Sequence, residues 1–176
     1  MKTTIVIILL VVSSAVNAQV TKGRKMFTGN GNITYQETFK HTYFDVHPGV
    51  GFVVADNLVA GLTVDYILSS VKDINKDRVI GAGPMFRYYI GGGSVKVFPH
   101  AQFTYNSYRT QVYTLAVPFD SKDNHVAGYG GLGLAYFIGE SASIEVLAGY
   151  SVNDYNYFDE SALRVRFGCS IFFGGE

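Results

Sequence analysis

Strict alternation of apolar with polar or small residues, held over two consecutive runs, constrains this chain more than any other feature. Between Phe44 and Leu68 the even positions are Phe44, Val46, Pro48, Val50 and Phe52, then Leu58, Ala60, Leu62, Val64, Tyr66 and Leu68. The odd positions include Asp45, His47, Gly49, Gly51, Thr63 and Asp65. Strand side chains alternate between faces with period two, so the pattern predicts an antiparallel hairpin reversing at Ala55-Asp56-Asn57. Each arm is about ten residues, the length of a strand that crosses a bilayer at a tilt.

The rest of the chain repeats this module. A first strand from Phe27 sets Phe27, Gly29, Gly31, Ile33 and Tyr35 against Thr28, Asn30, Asn32, Thr34 and Gln36. Further alternating runs cover Arg78 to Ile90, Ser94 to Asn106, His125 to Ile138, Ser143 to Ser151 and Leu163 to Phe173, which makes eight strands in all. Short turns at Asp56, Gly91-Gly92-Gly93 and Gly139-Glu140-Ser141 alternate with longer connections at Glu37 to Thr42, Ser69 to Asp77, Ser107 to Asn124 and Asn153 to Glu160. Alternation at Val112 to Val117 indicates strands that continue into the longest connection. Pro84 and Pro99 cannot donate ladder hydrogen bonds and are expected at bulges or local breaks.

The chain begins MKTTIVIILLVVSSAVNAQ, with Lys2 ahead of an apolar run from Ile5 to Val12 and with Val16 and Ala18 at small-residue cleavage positions. This reads as a signal peptide over residues 1–18, leaving residues 19–176 as one barrel domain. The apolar run is too short to be a spanning helix, which needs about twenty residues. Gln19 to Lys25 is expected to be a loosely ordered leader. Fourteen basic and fourteen acidic side chains balance, which argues against a nucleic-acid partner. The single Cys169 excludes an internal disulfide and lies in the apolar row of the last strand, where it reads as a small hydrophobe.

Periodicity alone does not say which face is inside. A soluble ligand-binding barrel would bury the apolar row, whereas a membrane barrel turns it to lipid. The polar row decides for the membrane form, because it is rich in glycine and too sparsely charged to be a solvated surface. Tyr35, Tyr43, Phe44, Tyr66, Tyr88, Tyr105, Tyr136 and Tyr150 lie near strand ends, where interfacial girdles form. The fold class is therefore all-β: an eight-stranded antiparallel up-and-down transmembrane β-barrel, exported to the cell outer membrane.

The inward row then holds a lumen network of Asp45, His47, Asp65, Arg87, Lys96, His100, Glu145, Arg164 and Arg166. A turn centred on Asp56 places His47 opposite Asp65, and the last hairpin brings Glu145 toward Arg166 and Gly168. Large inward groups such as Phe98, Tyr129 and Phe137 face inward glycines at 131 and 133, which predicts a filled lumen.

The segments HPGVGFVVADNLVAGLTVDY (His47 to Tyr66), GAGPMFRYYI (Gly81 to Ile90), LAYFIGESASIEVLAGY (Leu134 to Tyr150) and FGCSIFF (Phe167 to Phe173) resemble the small outer-membrane β-barrel proteins. These are the porin-family or OmpA/OmpX-like barrels of Gram-negative bacteria, and the resemblance covers nearly all of the chain after the leader. It implies a structural, adhesive or surface role, with outer-membrane lipid, lipopolysaccharide, the barrel-assembly machinery and an extracellular ligand of the loops as partners. One departure is the end of the chain, where Gly174-Gly175-Glu176 follows Phe173 in place of a terminal aromatic residue.

Other motifs carry little chemistry. Gly128 to Gly133 spells G-x-G-x-x-G, but that fingerprint needs a helix after it, and here a strand continues to Ile138. His47, His100, Asp45 and Asp65 come from different strands with no short ligand spacing, so neither a metal nor a cofactor is expected. A non-enzymatic role is expected; the alternatives are a narrow channel or small-solute porin, and a lipid-modifying hydrolase using His41 or His125 near the loops.

Overall fold

The computed structural model describes residues 20–37, 40–72, 74–113, 119–153 and 162–175. Within them run β1 (Lys25–Gln36), β2 (His41–Ala55), β3 (Leu58–Val71), β4 (Asn75–Tyr88), β5 (Val95–Val112), β6 (Phe119–Ile138), β7 (Ala142–Asn153) and β8 (Ala162–Phe173). The strands form one closed barrel in chain order, antiparallel throughout, with β1 joined back to β8. The expected signal peptide, the whole β7–β8 connection and residues 114–117 of the alternation read between β5 and β6 lie outside the described residues.

The first and last described residues and the three short turns gather at one end of the barrel, and the strand ends that lead into the longer connections at the other. The turns follow local chemistry. Asn57 has φ of 64° and Gly139 φ of 67°, left-handed conformations that Asn and Gly adopt at least cost. The β2–β3 register runs Phe44↔Leu68, Val46↔Tyr66 and Gly49↔Thr63, the pairing expected from a turn at Asp56, and shifts between Val53 and Ala55 beside the turn.

The apolar row faces outward. Leu62 is 61% exposed, Leu132 63% and Phe167 65%, while the polar row beside them is buried. A continuous apolar exterior of this kind has no place in water. Cys169 is on this outer face. Tyr88, Tyr105, Tyr136 and Tyr150 point outward as expected, but Tyr43 turns inward and hydrogen-bonds Arg164. The Tyr35 side chain lies outside the described set.

Two expectations are corrected and two are met. Val20 to Arg24 are not a loose leader: Val20 is buried, its carbonyl accepts from Asn57 N at 2.7 Å, and Gly23 N and Arg24 O bond Val53. Pro84 and Pro99 mark local breaks, as expected, and no bulge: the registers Leu62↔Pro84 and Pro99↔Leu132 run through them, but the β4–β5 ladder skips Gly83-Pro84 and ends at Arg87↔His100, short of Pro99. β3 and β4 reach further than expected, and β5 and β6 continue into the longest connection as the alternation there indicates. β3 and β4 leave only Lys72 to Ile74 between them, and β5 and β6 stay paired from Ser107↔Asn124 to Val112↔Phe119.

Candidate functional site in the barrel lumen

The inward row changes character along the barrel axis. Near the chain ends, Tyr89, Phe98, Phe137 and Phe172 form a cluster of rings, with Tyr89 centred 5.1 Å from Phe98 and 5.9 Å from Phe172, and Phe137 stacked on Phe172 at 5.7 Å. Met26, Val53, Val59, Ala135 and Val20 complete this buried layer. Phe98 pairs in register with Gly133, and a Cβ there would collide with the ring. The glycine of the spurious nucleotide motif is thus the space that the ring occupies.

Above the rings the lumen is polar. Arg87 is fully buried and donates from Nη1 to Glu145 Oε2 at 2.8 Å, to Ser170 Oγ at 3.2 Å, and from Nε to His100 Nδ1 at 3.0 Å. A guanidinium can only donate, so His100 Nδ1 accepts and the ring carries its proton on Nε2. That nitrogen donates to Gln102 Oε1 at 3.2 Å, and Gln102 Nε2 donates to Asp65 Oδ1 at 3.2 Å. Asp65 also accepts from Thr104 Oγ1 at 2.6 Å and from His47 Nδ1 at 2.7 Å. His47 Nε2 then lies 3.8 Å from Asp45 Oδ2. One hydrogen-bonded chain therefore climbs from Glu145 to His47, and the predicted His47–Asp65 juxtaposition is part of it.

The remaining predicted residues stand apart from that chain or at its edge. Glu145 does not meet Arg166: although Gly168 is its register partner, its carboxylate crosses the lumen to Arg87. Arg166 lies over the Tyr129 ring at 4.0 Å and reaches Gln102 Oε1 at 3.4 Å. Arg164 donates from Nε to Ser151 Oγ at 3.0 Å and lies over Tyr43. Lys96 bonds the Gly91 carbonyl at 3.1 Å, at the end of the barrel that carries the short turns. Gln102, Thr104 and Ser170 were not singled out in the sequence, although each sits on the inward row of its strand.

Between Asp65, Gln102, Asn106, Tyr129 and Arg166 lies a cavity of about 60 Å³. Asn106 Oδ1, Tyr129 Oη and Arg166 Nε border it without a protein partner among the described residues. A polar space of that size accommodates a few water molecules. Among the described residues no group of His, Cys, Asp or Glu is arranged to hold a metal ion.

No family profile and no curated protein matches the chain. Solved structures do. A major outer membrane protein from Thermus thermophilus superposes with a TM-score of 0.63 at 13% identity, covering 86% of this chain and 99% of that one. The N-terminal β-barrel domain of Pseudomonas aeruginosa OprF gives 0.53 at 12% identity, over 86% of this chain and 98% of the domain. Neisserial surface protein A gives 0.53 at 17% identity, over 85% and 96%. At these identities the likeness is one of fold. The chain has the fold of the small eight-stranded outer-membrane β-barrels.

Proposed function

We propose that the mature chain is an integral outer-membrane protein with a closed lumen, freed of its signal peptide on export, which acts structurally or through surface interactions of its outer loops. The observation that carries this reading is the ring cluster of Tyr89, Phe98, Phe137 and Phe172, buried across the bore of a barrel whose exterior is apolar. An eight-stranded barrel is just wide enough for side chains to fill, whereas open porins use about sixteen to eighteen strands. Loops carried on such a rigid wall are the parts free to vary and bind.

The hydrolase alternative has one supporting contact, His41 Nε2 at 2.9 Å from Ser69 Oγ. The acid nearest in register is Asp77, opposite Ser69, and it accepts from Thr110 and Asn75. A triad acid must instead orient the histidine through its other nitrogen. We therefore favour a non-enzymatic role.

Purified protein in planar bilayers is expected to show no sustained single-channel conductance at neutral pH. A steady, reproducible open level would replace this reading with the narrow-channel one. For orientation, Cys169→Ser protein carrying a new cysteine at Lys122 is expected to label in intact cells, and at Asp56 not to label. The reverse pattern would invert the barrel.

A further inference from the structure

On the outer wall, Arg78 of β4 is the register partner of Arg109 of β5, and Arg109 that of Lys122 of β6. All three side chains are exposed and lie on the outward row of their strands. Like charges placed directly opposite each other on neighbouring strands destabilise a sheet, so such a row calls for an anion. The chain supplies one, Asp120, which binds Arg109 through both oxygens, with Nε to Oδ1 at 3.0 Å. One carboxylate against three cations leaves the row positive. Among the described residues Arg78 and Lys122 have no ion-pair partner.

The row borders a groove of about 460 Å³, lined by Arg78, Ile80, Ser107, Arg109, Asp120 and Lys122. Ile80 is 48% exposed, and next along the same outward face come Tyr105 at 63% and Val126 at 54%. Cations at one edge and lipid-facing apolar side chains at the other match an amphiphile, with an anionic head on the first and acyl chains along the second. Free phosphate would use only the first. Resting on the membrane reading above, with these strand ends at the loop side, we propose that the groove binds the phosphorylated headgroup of an outer-leaflet glycolipid. Arg78 and Lys122 contact the phosphate, while Arg109 is held in place by Asp120.

The test uses the full mature chain refolded in detergent, with bisphosphorylated lipid A as the probe and native mass spectrometry as the readout. Wild type is expected to retain lipid A. The Arg78→Ser/Lys122→Ser variant is expected to retain about 25-fold less, from two basic contacts of the usual strength at a lipid surface. The charge-preserving Arg78→Lys/Lys122→Arg variant should retain it, as should Lys22→Ser/Lys25→Ser at the opposite end of the barrel. Phosphatase-treated lipid A should be lost from wild type, and millimolar inorganic phosphate should not displace the intact lipid. Equal retention by wild type and the double serine variant, equal retention of the dephosphorylated lipid, or displacement by inorganic phosphate would each overturn the proposal. Flotation of wild type with phosphatidylcholine vesicles reads the membrane assignment separately. Failure to float would remove that assignment and the groove together, whereas flotation with unselective lipid retention would remove the groove alone.

Discussion

The two halves of the lumen are built on one wall by opposite means. Toward the chain ends the bore is closed by aromatic rings and aliphatic side chains, which gain from leaving water wherever they pack well. Toward the loops it is crossed by a directional chain from Glu145 to His47 and retains a polar cavity. Each group of that chain loses hydration and is stable only while its partners are present. A bore can thus be sealed by volume alone, while its polar part must be specified atom by atom.

Four substitutions, with Glu140→Leu as a control for the first, sharpen that contrast, and the largest effect falls where the halves meet. Glu145→Leu leaves the buried Arg87 without its carboxylate and is expected to cost about 3 to 5 kcal/mol in denaturant unfolding, against almost nothing for Glu140→Leu in the exposed turn. Equal midpoints for the two variants would remove Glu145 from the lumen chain. Phe98→Ala opens a void in the ring layer and should cost about 3 kcal/mol. It is also the variant in which conductance should first appear, and a tight barrel after its loss would mean that the seal lies elsewhere.

Within the polar half, Asp65→Asn removes the charge that three donors share, and a loss of about 2 kcal/mol is expected by the same unfolding measurement. A neutral result would show that the cavity compensates for the missing acceptor. The smallest effect belongs to Asp120, on the strand extensions above the apolar rows. Its hydrogen bonds from Arg109 hold its carboxyl below the usual carboxylate range. A depressed folded-state value means that any stability it contributes is present above about pH 4, where the unfolded group ionises, and fades as pH falls through the folded value. Asp120→Asn should therefore differ only slightly from wild type at neutral pH and low salt, and not at all in strong acid or high salt. A difference persisting under those conditions would assign Asp120 a role beyond its exposed ion pair.

Much of this was legible because alternation records which way a side chain points. Asp45, His47, Asp65, Arg87 and Glu145 fall on the inward row by parity alone, and the His47–Asp65 juxtaposition follows because no bulge interrupts β2 and β3 between them. Contacts across the bore were not legible. Register relates neighbouring strands, so Glu145 was placed beside Arg166, whereas the curvature of the closed wall delivers Arg87 from β4. The extension of β5 and β6 was legible only from the alternation at Val112 to Val117, and not along the stretch between there and the apolar rows. Above the apolar rows the outer face carries Arg109 and Lys122 and the two-letter pattern vanishes, although the ladder continues. Val20 to Arg24 have no alternation of their own; the burial of Val20, backbone bonds to Val53 and Asn57, and the Arg24 side chain show them as part of the structure.

The join between β1 and β8 has a consequence for assembly. Its ladder runs from Lys25↔Phe173 to Gly31↔Phe167, and the described remainders, Asn32 to Gln36 and Ala162 to Arg166, are not paired with each other. These edges are also the most distant in sequence, so loop-closure entropy makes their meeting the slowest pairing to form. Arg24 spans that join at its base, donating to the Glu140 carbonyl at 2.8 Å and the Phe172 carbonyl at 3.0 Å. It therefore acts as a fastener that can close only after the last strand has been delivered. A nascent chain lacking β8 would keep an open edge, and amide exchange in the finished protein should begin along the upper stretch of this join.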